Sequence, residues 1–310
     1  MMLDLKIDPL KIAQEIEEFI RREVEGAGKD GAVVGLSGGV DSALVATLAT
    51  RALGRDRVWG LLMPERDTDP ASVGYAKGLA KGLRIRYEIV KLTAALKRLG
   101  VYRLVPSPFF LPRTIQERFV KRRQEALAHA LGEKPFAASL KGSREKELNT
   151  GVAFLRAKTR LRMLVLYLYA EARNLLVLGT SNRTEWSVGL FAKYGDGAAD
   201  LMPILHLYKT QVKELASYLR VPAEITQRVP NPDLAPGLSD EFIIGLPYPL
   251  LDKILLLLEG GLAAEEIVNS LGVEEKKVQY VRQLMEFSNH MRRPPASLLE
   301  GFRDEQRTRG

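Results

Sequence analysis

Ser37-Gly38-Gly39-Val40-Asp41-Ser42 gathers two hydroxyls and a carboxylate around a pair of glycines. Glycines in such a turn let successive main-chain N–H groups converge on one anion, because they adopt backbone angles closed to other residues. Ser37 and Ser42 add hydroxyl donors, and the Asp41 carboxylate could hold magnesium, a hard cation that takes oxygen ligands. The chemistry indicated is the gripping of a polyphosphate. The lysine of the G-x-x-x-x-G-K-[ST] loop is missing, so this would be a different phosphate cradle. The plainer alternative is a Gly-Gly turn with Asp41 as a helix cap, and the flanking sequence has to decide.

The flanks favour the cradle. Ala32–Leu36 reads as a buried parallel strand, and Asp41 to Leu53 as a helix with Leu44, Val45, Leu48 and Ala52 on one face. The glycines therefore fall at a helix N-terminus, where the macrodipole favours an anion. A helix over Lys11–Val24 precedes them. After them come a strand at Val58–Met63, a loop at Pro64–Pro70, a helix at Ala71–Gly82 and a strand at Arg84–Val90. This βαβαβ order predicts an α/β fold, a doubly wound and mainly parallel sheet.

From Tyr102 to Leu148 the alternation stops. Pro106, Pro108 and Pro112 break it, a charged helix follows near Ile115–Leu131, and Lys141–Lys146 reads as a loop. We expect an insertion or lid at 102–148. A long helix over Val152–Ala172 then runs into a strand at Leu175–Leu178, and Lys209–Leu219 is an amphipathic helix. Three helices are expected from Pro249 to Met291, two of them joined at Gly260-Gly261. The expected organisation is an α/β domain over 1–245, a C-terminal helical extension over 246–293 and a tail over 294–310.

Further chemistry gathers after the Leu175–Leu178 strand. Gly179-Thr180-Ser181-Asn182-Arg183-Thr184-Glu185 leaves the strand's C-terminal end, the edge where open α/β sheets bind ligands. Thr180 could contact a nucleotide and Glu185 could be a second carboxylate for a metal; a capped surface turn is the alternative. Lys193, Asp196 and Asp200 surround glycines in a stretch that reads either as an Asx turn or as a ribose and phosphate contact. Lys209 opens a helix, against the dipole, and could reach a phosphate there. Arg156 with Arg160, and Lys158 with Arg162, form two basic stripes on the long helix: solvated faces, or anion contacts in a groove.

Composition narrows the possibilities. The 310 residues are 46% hydrophobic, enough for a real core, and contain no cysteine. That excludes disulfides, thiolate–metal sites and a thiol nucleophile, a Cys-type glutaminase included. No apolar run spans a bilayer and no secretory leader is visible, so a cytoplasmic protein is expected. The net charge of +8 suits phosphate-rich ligands. The basic residues are interleaved with acids, which argues against a nucleic-acid surface.

GLSGGVDS, RAKTRLRM, LVLGTSNRTE, KYGDGAADLMPI and LYKTQV together resemble the NAD synthetase family; SDEFIIGLPY and HMRRPPAS extend the likeness more weakly. The first motif is shared by a superfamily whose pyrophosphate loop serves to split ATP into AMP and pyrophosphate. KYGDGAAD with LYKTQV is narrower. The resemblance implies a Rossmann-like fold of the adenine nucleotide alpha-hydrolase type. It implies ATP-dependent amidation of nicotinic acid adenine dinucleotide (deamido-NAD) with ammonia, through an acyl-adenylate, giving NAD, AMP and pyrophosphate.

By the same resemblance, Gly35, Leu36, Ser37, Gly38, Gly39, Val40, Asp41 and Ser42 would hold ATP, with Thr180 and Lys209 and with Asn231, which stands where Ser or Thr is common. Asp41 and Glu185 would ligate Mg2+. Arg160, Lys193, Asp200 and His290, with its neighbour Met291, would hold deamido-NAD. Asp41, Ser37, Lys193 and Lys209 would carry the catalysis. A homodimer is implied whose interface helps build the dinucleotide site. Besides Asn231, three features depart from the family pattern: Ile243 replaces an acid in the D-E-x-x-x-G segment, Met291 replaces a lysine, and 102–148 is long.

No glutaminase domain is expected ahead of the loop, so nitrogen would come from free ammonia or from a partner glutaminase. Two other readings stay open on the sequence. One is a superfamily member that adenylates a different acceptor, such as tRNA. The other is a nucleotide-binding regulator without turnover, motivated by Asn231, Ile243 and Met291.

Overall fold

The computed structural model describes residues 4–104, 112–228 and 235–295. Four parallel strands, β1 (Gly31–Gly35), β2 (Val58–Leu62), β3 (Arg86–Ile89) and β4 (Leu175–Leu178), lie in the order β3-β2-β1-β4. β1 is central, pairing Ala32 with Val58 on one side and with Leu176 on the other. The chain winds outward in both directions from it, which leaves a crevice at its C-terminal end.

Helices cover both faces. α1 (Pro9–Gly26), α2 (Val40–Leu53) and α3 (Pro70–Leu83) come early in the chain; α4 (Thr93–Arg98), α5 (Arg113–Leu131), α6 (Pro135–Lys141) and α7 (Lys146–Glu171) precede β4. After it come α8 (Arg183–Val188), α9 (Lys209–Tyr218), α10 (Ala223–Thr226), α11 (Asp240–Ile244), α12 (Tyr248–Glu259), α13 (Ala264–Leu271) and α14 (Glu275–Arg292).

Strand alternation sorts the core. Ala32, Val34, Val58, Leu62 and Leu178 point into one cluster with α1, α2, α3 and α9. Val33, Leu61, Leu175 and Val177 point into another with α7 and α4. A third cluster joins the C-terminal helices to Val188, Phe191 and Tyr208. β1, β2 and β4 are thus largely buried on both faces, which is why they read as apolar runs, whereas the edge strand β3 has no buried residue.

Capping explains where the expected boundaries move. Arg84 takes left-handed angles (φ 56°) to end α3, so β3 starts at Arg86 and not at Arg84. Glu145 accepts the Glu147 N–H, so α7 begins at Lys146, well before the expected Val152. The expected Lys141–Lys146 loop shrinks to a turn between α6 and α7. The three C-terminal helices form as expected, with Gly260-Gly261 between α12 and α13. Within the stretch expected as a lid, Lys134 donates to the Gly245 carbonyl (3.0 Å), tying the start of α6 to the end of α11. No helix of the described residues is long and apolar enough to cross a membrane.

Candidate active site

The glycine loop leaves β1 and enters α2, whose first turn has no side-chain cap; Gly39 occupies the N-cap position. The free N–H groups of that turn remain available to a ligand. Gly38 has φ +80°, and a Cβ there would lie 2.3 Å from the Ser72 carbonyl of α3. Only glycine fits. Ser37 Oγ accepts the Gly39 N–H (3.2 Å) and lies 3.0 Å from Ser42 Oγ, so the two serines hold the loop closed on itself.

Asp41, in the first turn of α2, meets residues from two distant segments. Lys209 Nζ donates to Asp41 Oδ2 (2.5 Å) and to Glu185 Oε1 (3.0 Å). Asn182 donates to Asp41 Oδ1 (2.9 Å) and accepts the Glu185 N–H (3.0 Å), capping α8 while bridging to α2. Behind them lies Asp252, fully buried on α12. It accepts the Thr184 hydroxyl (2.6 Å) and the Thr210 N–H (2.8 Å), and Thr184 Oγ1 in turn accepts the Lys209 N–H (2.9 Å). One carboxylate of the C-terminal helices thereby fixes the starts of both α8 and α9.

Charge and burial set the protonation states. Burial pulls the Lys209 ammonium down, but Asp41, Glu185 and Asp240 outweigh it and hold the group above its ordinary value. Burial pushes Glu185 up to about 8 against the pull of Lys209, with Asp41 and Asp240 adding to the rise. Asp240, which accepts the Tyr248 hydroxyl (2.9 Å), is also raised by burial.

These groups open on a cavity of about 260 Å³ at the C-terminal edge of the sheet. Gly35, Leu36, Ser37, Gly39, Val40, Asp41 and Ser42 line it, with Thr180, Glu185 and Lys209. Leu62, Met63, Val73, Leu166 and Ile225 give it an apolar wall, and Thr68, Thr159, Arg162 and Arg228 add polar groups around that wall. A charged end and an apolar end in one crevice suit a nucleoside with a phosphate tail.

Two acids outside the residues expected to hold ATP or deamido-NAD also line the cavity. Asp196 is pushed up to about 6 by burial, against backbone donors that include Ala192 N (2.6 Å) and against the Arg162 charge. Asp240 comes from the D-E-x-x-x-G segment. Asn182 reads in the sequence only as a helix cap, a role it fills for α8, while its partner Asp41 is 141 residues away in the chain; the partners of Asp252 are likewise distant, and no local pattern reveals them.

The residues expected to hold a dinucleotide fall outside the lining of that cavity. Arg160 donates twice to the Lys193 carbonyl (3.2 Å each), and Lys193 Nζ donates to the His290 carbonyl (3.2 Å). His290 Nδ1 lies 2.8 Å from the Phe287 carbonyl. Asp200 already uses both oxygens, accepting the Tyr167 hydroxyl (2.9 Å) and the Val177 N–H (2.8 Å). Met291 is 4% exposed in the C-terminal core, with Arg156 on its sulfur (3.9 Å). Ile243 packs against the Val120, Ala235 and Leu238 cluster, so an apolar residue belongs there. Asn231 lies outside the described residues.

Known proteins resemble this chain over most of its length. The NAD synthase family model matches residues 12–108 and 110–295. The chain is 43% identical to the NH(3)-dependent NAD(+) synthetase of Thermotoga neapolitana, over 90% of this chain and 93% of that protein. Against the NH(3)-dependent NAD(+) synthetase of Methanocaldococcus jannaschii it is 38% identical, over 92% and 95%. Among solved structures, the NH3-dependent NAD synthetase of Campylobacter jejuni, in complex with nitrate, superposes with a TM-score of 0.65 at 28% identity, over 94% of this chain and all of that one. The NMN synthetase of Francisella tularensis gives 0.70 at 27%, over 94% and 99%.

Proposed function

The chain belongs to the NAD synthase family, and from that premise we propose that it amidates deamido-NAD with ammonia at the cost of ATP, releasing NAD, AMP and pyrophosphate. The observation that carries this reading is a single cavity joining an uncapped helix N-terminus at two glycines to the Lys209 ammonium and an apolar wall.

In the first step the nicotinate carboxylate attacks the α-phosphorus of ATP and pyrophosphate departs. Main-chain amides of 37–42 and the positive end of α2 receive the leaving charge, and Lys209, held charged by its neighbours, adds a fixed cation. Magnesium fits the donor set: Asp41 and Glu185 converge on one cationic point, and this ion takes one or two carboxylates plus phosphate oxygens. Bound there, it would neutralise phosphate charge. In the second step ammonia attacks the acyl-adenylate and AMP leaves. Asp196 is the candidate to take the proton of ammonium, because burial makes it a stronger base than an ordinary aspartate while leaving it ionised at neutral pH.

Arg160, Lys193 and the His290 turn form a basic ledge beside the cavity suited to the substrate's phosphates. On α7, the same helix as Arg160, Leu164 and Leu168 are 65% and 62% exposed one turn apart. We assign that face to a homodimer contact. Leu164→Glu should give a monomer by sedimentation; a variant still dimeric removes this face from the interface.

The test of function is an incubation of the purified protein with ATP, magnesium, ammonium and deamido-NAD. NAD and AMP should form in equal amounts. Nicotinate mononucleotide, offered in parallel, should be the poorer acceptor. Turnover with glutamine replacing ammonium would contradict the nitrogen source, and absence of AMP would contradict the reaction.

A further inference from the structure

A second buried lysine has no part in the chemistry above. Lys158 of α7 donates to Glu65 Oε1 (2.9 Å) and to Asp67 Oδ2 (2.7 Å), and the three side chains are 3%, 0% and 2% exposed. The carboxylates belong to the turn that follows β2. Glu65 Oε2 also accepts the Tyr102 hydroxyl (2.8 Å) and the Asp67 N–H (3.1 Å), and Asp67 Oδ1 accepts from Arg66 Nε (2.7 Å). Buried charges that cost so much desolvation need an excellent geometry, and this cluster has one.

The cluster lies behind two walls of the cavity. Met63, Pro64 and Thr68 of the turn line one side; Thr159, Arg162 and Met163, chain neighbours of Lys158, line another. The turn continues into α3 through its N-cap Asp69, and the Ser72 carbonyl of α3 is what Gly38 packs against. A shift of the turn would therefore widen the apolar end of the cavity and disturb the glycine loop as well.

We propose that Lys158 is a positioning residue for ATP: by pinning Glu65 and Asp67 it fixes the post-β2 turn as one wall of the nucleotide cavity and so sets ATP affinity. The proposal rests on the reading of that cavity as the ATP site. Lys158→Met should raise the KM for ATP about tenfold or more, with the KM for deamido-NAD and for ammonium little changed. Because that variant leaves two uncompensated carboxylates and could unfold, a second variant, Glu65→Gln/Asp67→Asn/Lys158→Met, removes the charges together.

The triple variant should regain the melting temperature of the parent protein while keeping the raised KM for ATP. Return of both to parental values overturns the proposal, since charge balance alone would then be the cluster's role. So does an equal rise in all three KM values. Calorimetric ATP binding, run alongside turnover, separates the two layers. Parent protein that binds ATP but makes no NAD refutes the proposed function, and the variants' ATP affinities then decide the role of Lys158. Parent protein that binds no ATP overturns both.

Discussion

Among the described residues, two lysines each hold two carboxylates, and they differ in what the carboxylates face. At Lys209, Asp41 and Glu185 are both 16% exposed and open on the cavity; at Lys158, Glu65 and Asp67 are 0% and 2% exposed and are further tied to Tyr102, Arg66 and the backbone. The ion-pair chemistry is the same. Oxygens with a free side toward a cavity can exchange an ammonium for a ligand, whereas oxygens used up inside the protein only hold segments together. Side-chain composition alone does not distinguish a cluster open to a cavity from one closed inside the protein.

The contrast can be broken most directly at Asp41. Asp41→Ala should lower AMP formation about 10³-fold with a small change in melting temperature; turnover at the parental rate would show that the open centre is no reaction centre. Asp196→Asn should slow NAD formation by about 10²-fold while ATP–pyrophosphate exchange persists, because only the ammonia step needs its base. Loss of exchange in the same proportion would place Asp196 in the first step. Glu65→Ala, in the closed centre, should do the reverse: about 3 kcal/mol of stability lost in urea unfolding, with kcat at saturating ATP close to the parent's. A kcat as low as that of Asp41→Ala would erase the distinction.

A smaller effect sharpens it through pH. Glu185 and Asp196 have folded-state values raised to about 8 and about 6, so between their unfolded values and these the folded chain binds more protons than the unfolded one. Their stabilising contribution is full below the unfolded values and is lost as pH rises through the raised ones, so the ligand-free protein should lose stability from about pH 4.5 to 8. Glu185→Gln should flatten the upper part of that decline and Asp196→Asn the lower. Urea midpoints measured across the range decide it, and a steady rise in both variants and parent would reverse the sign we assign.

The sheet and the glycine loop were legible because their signals are local. Alternating apolar runs, Gly38-Gly39 and the start of a helix fall within a few residues of one another. Thr180, Glu185 and Lys209 were legible as residues at element ends beside the same edge. The closed centre was not: Lys158 lies 93 residues from Glu65 and 91 from Asp67, and on helical spacing it shared a basic stripe that suited solvent equally well. Asp252 was hidden for the same reason, since burial of a carboxylate on a C-terminal helix is decided by partners on α8 and α9. Met291 shows the converse. Its place in the sequence suggested a ligand contact, and packing claims its side chain.

In the function proposed above, the loop at 37–42 directs cleavage between the α- and β-phosphorus atoms of ATP by the substrate's own carboxylate. Deamido-NAD carrying 18O in that carboxylate tests it directly, with the products read by mass spectrometry. One labelled oxygen should appear in AMP and one in the remaining amide carbonyl of NAD, with pyrophosphate unlabelled. Label in orthophosphate, with ADP as the nucleotide product, would contradict it.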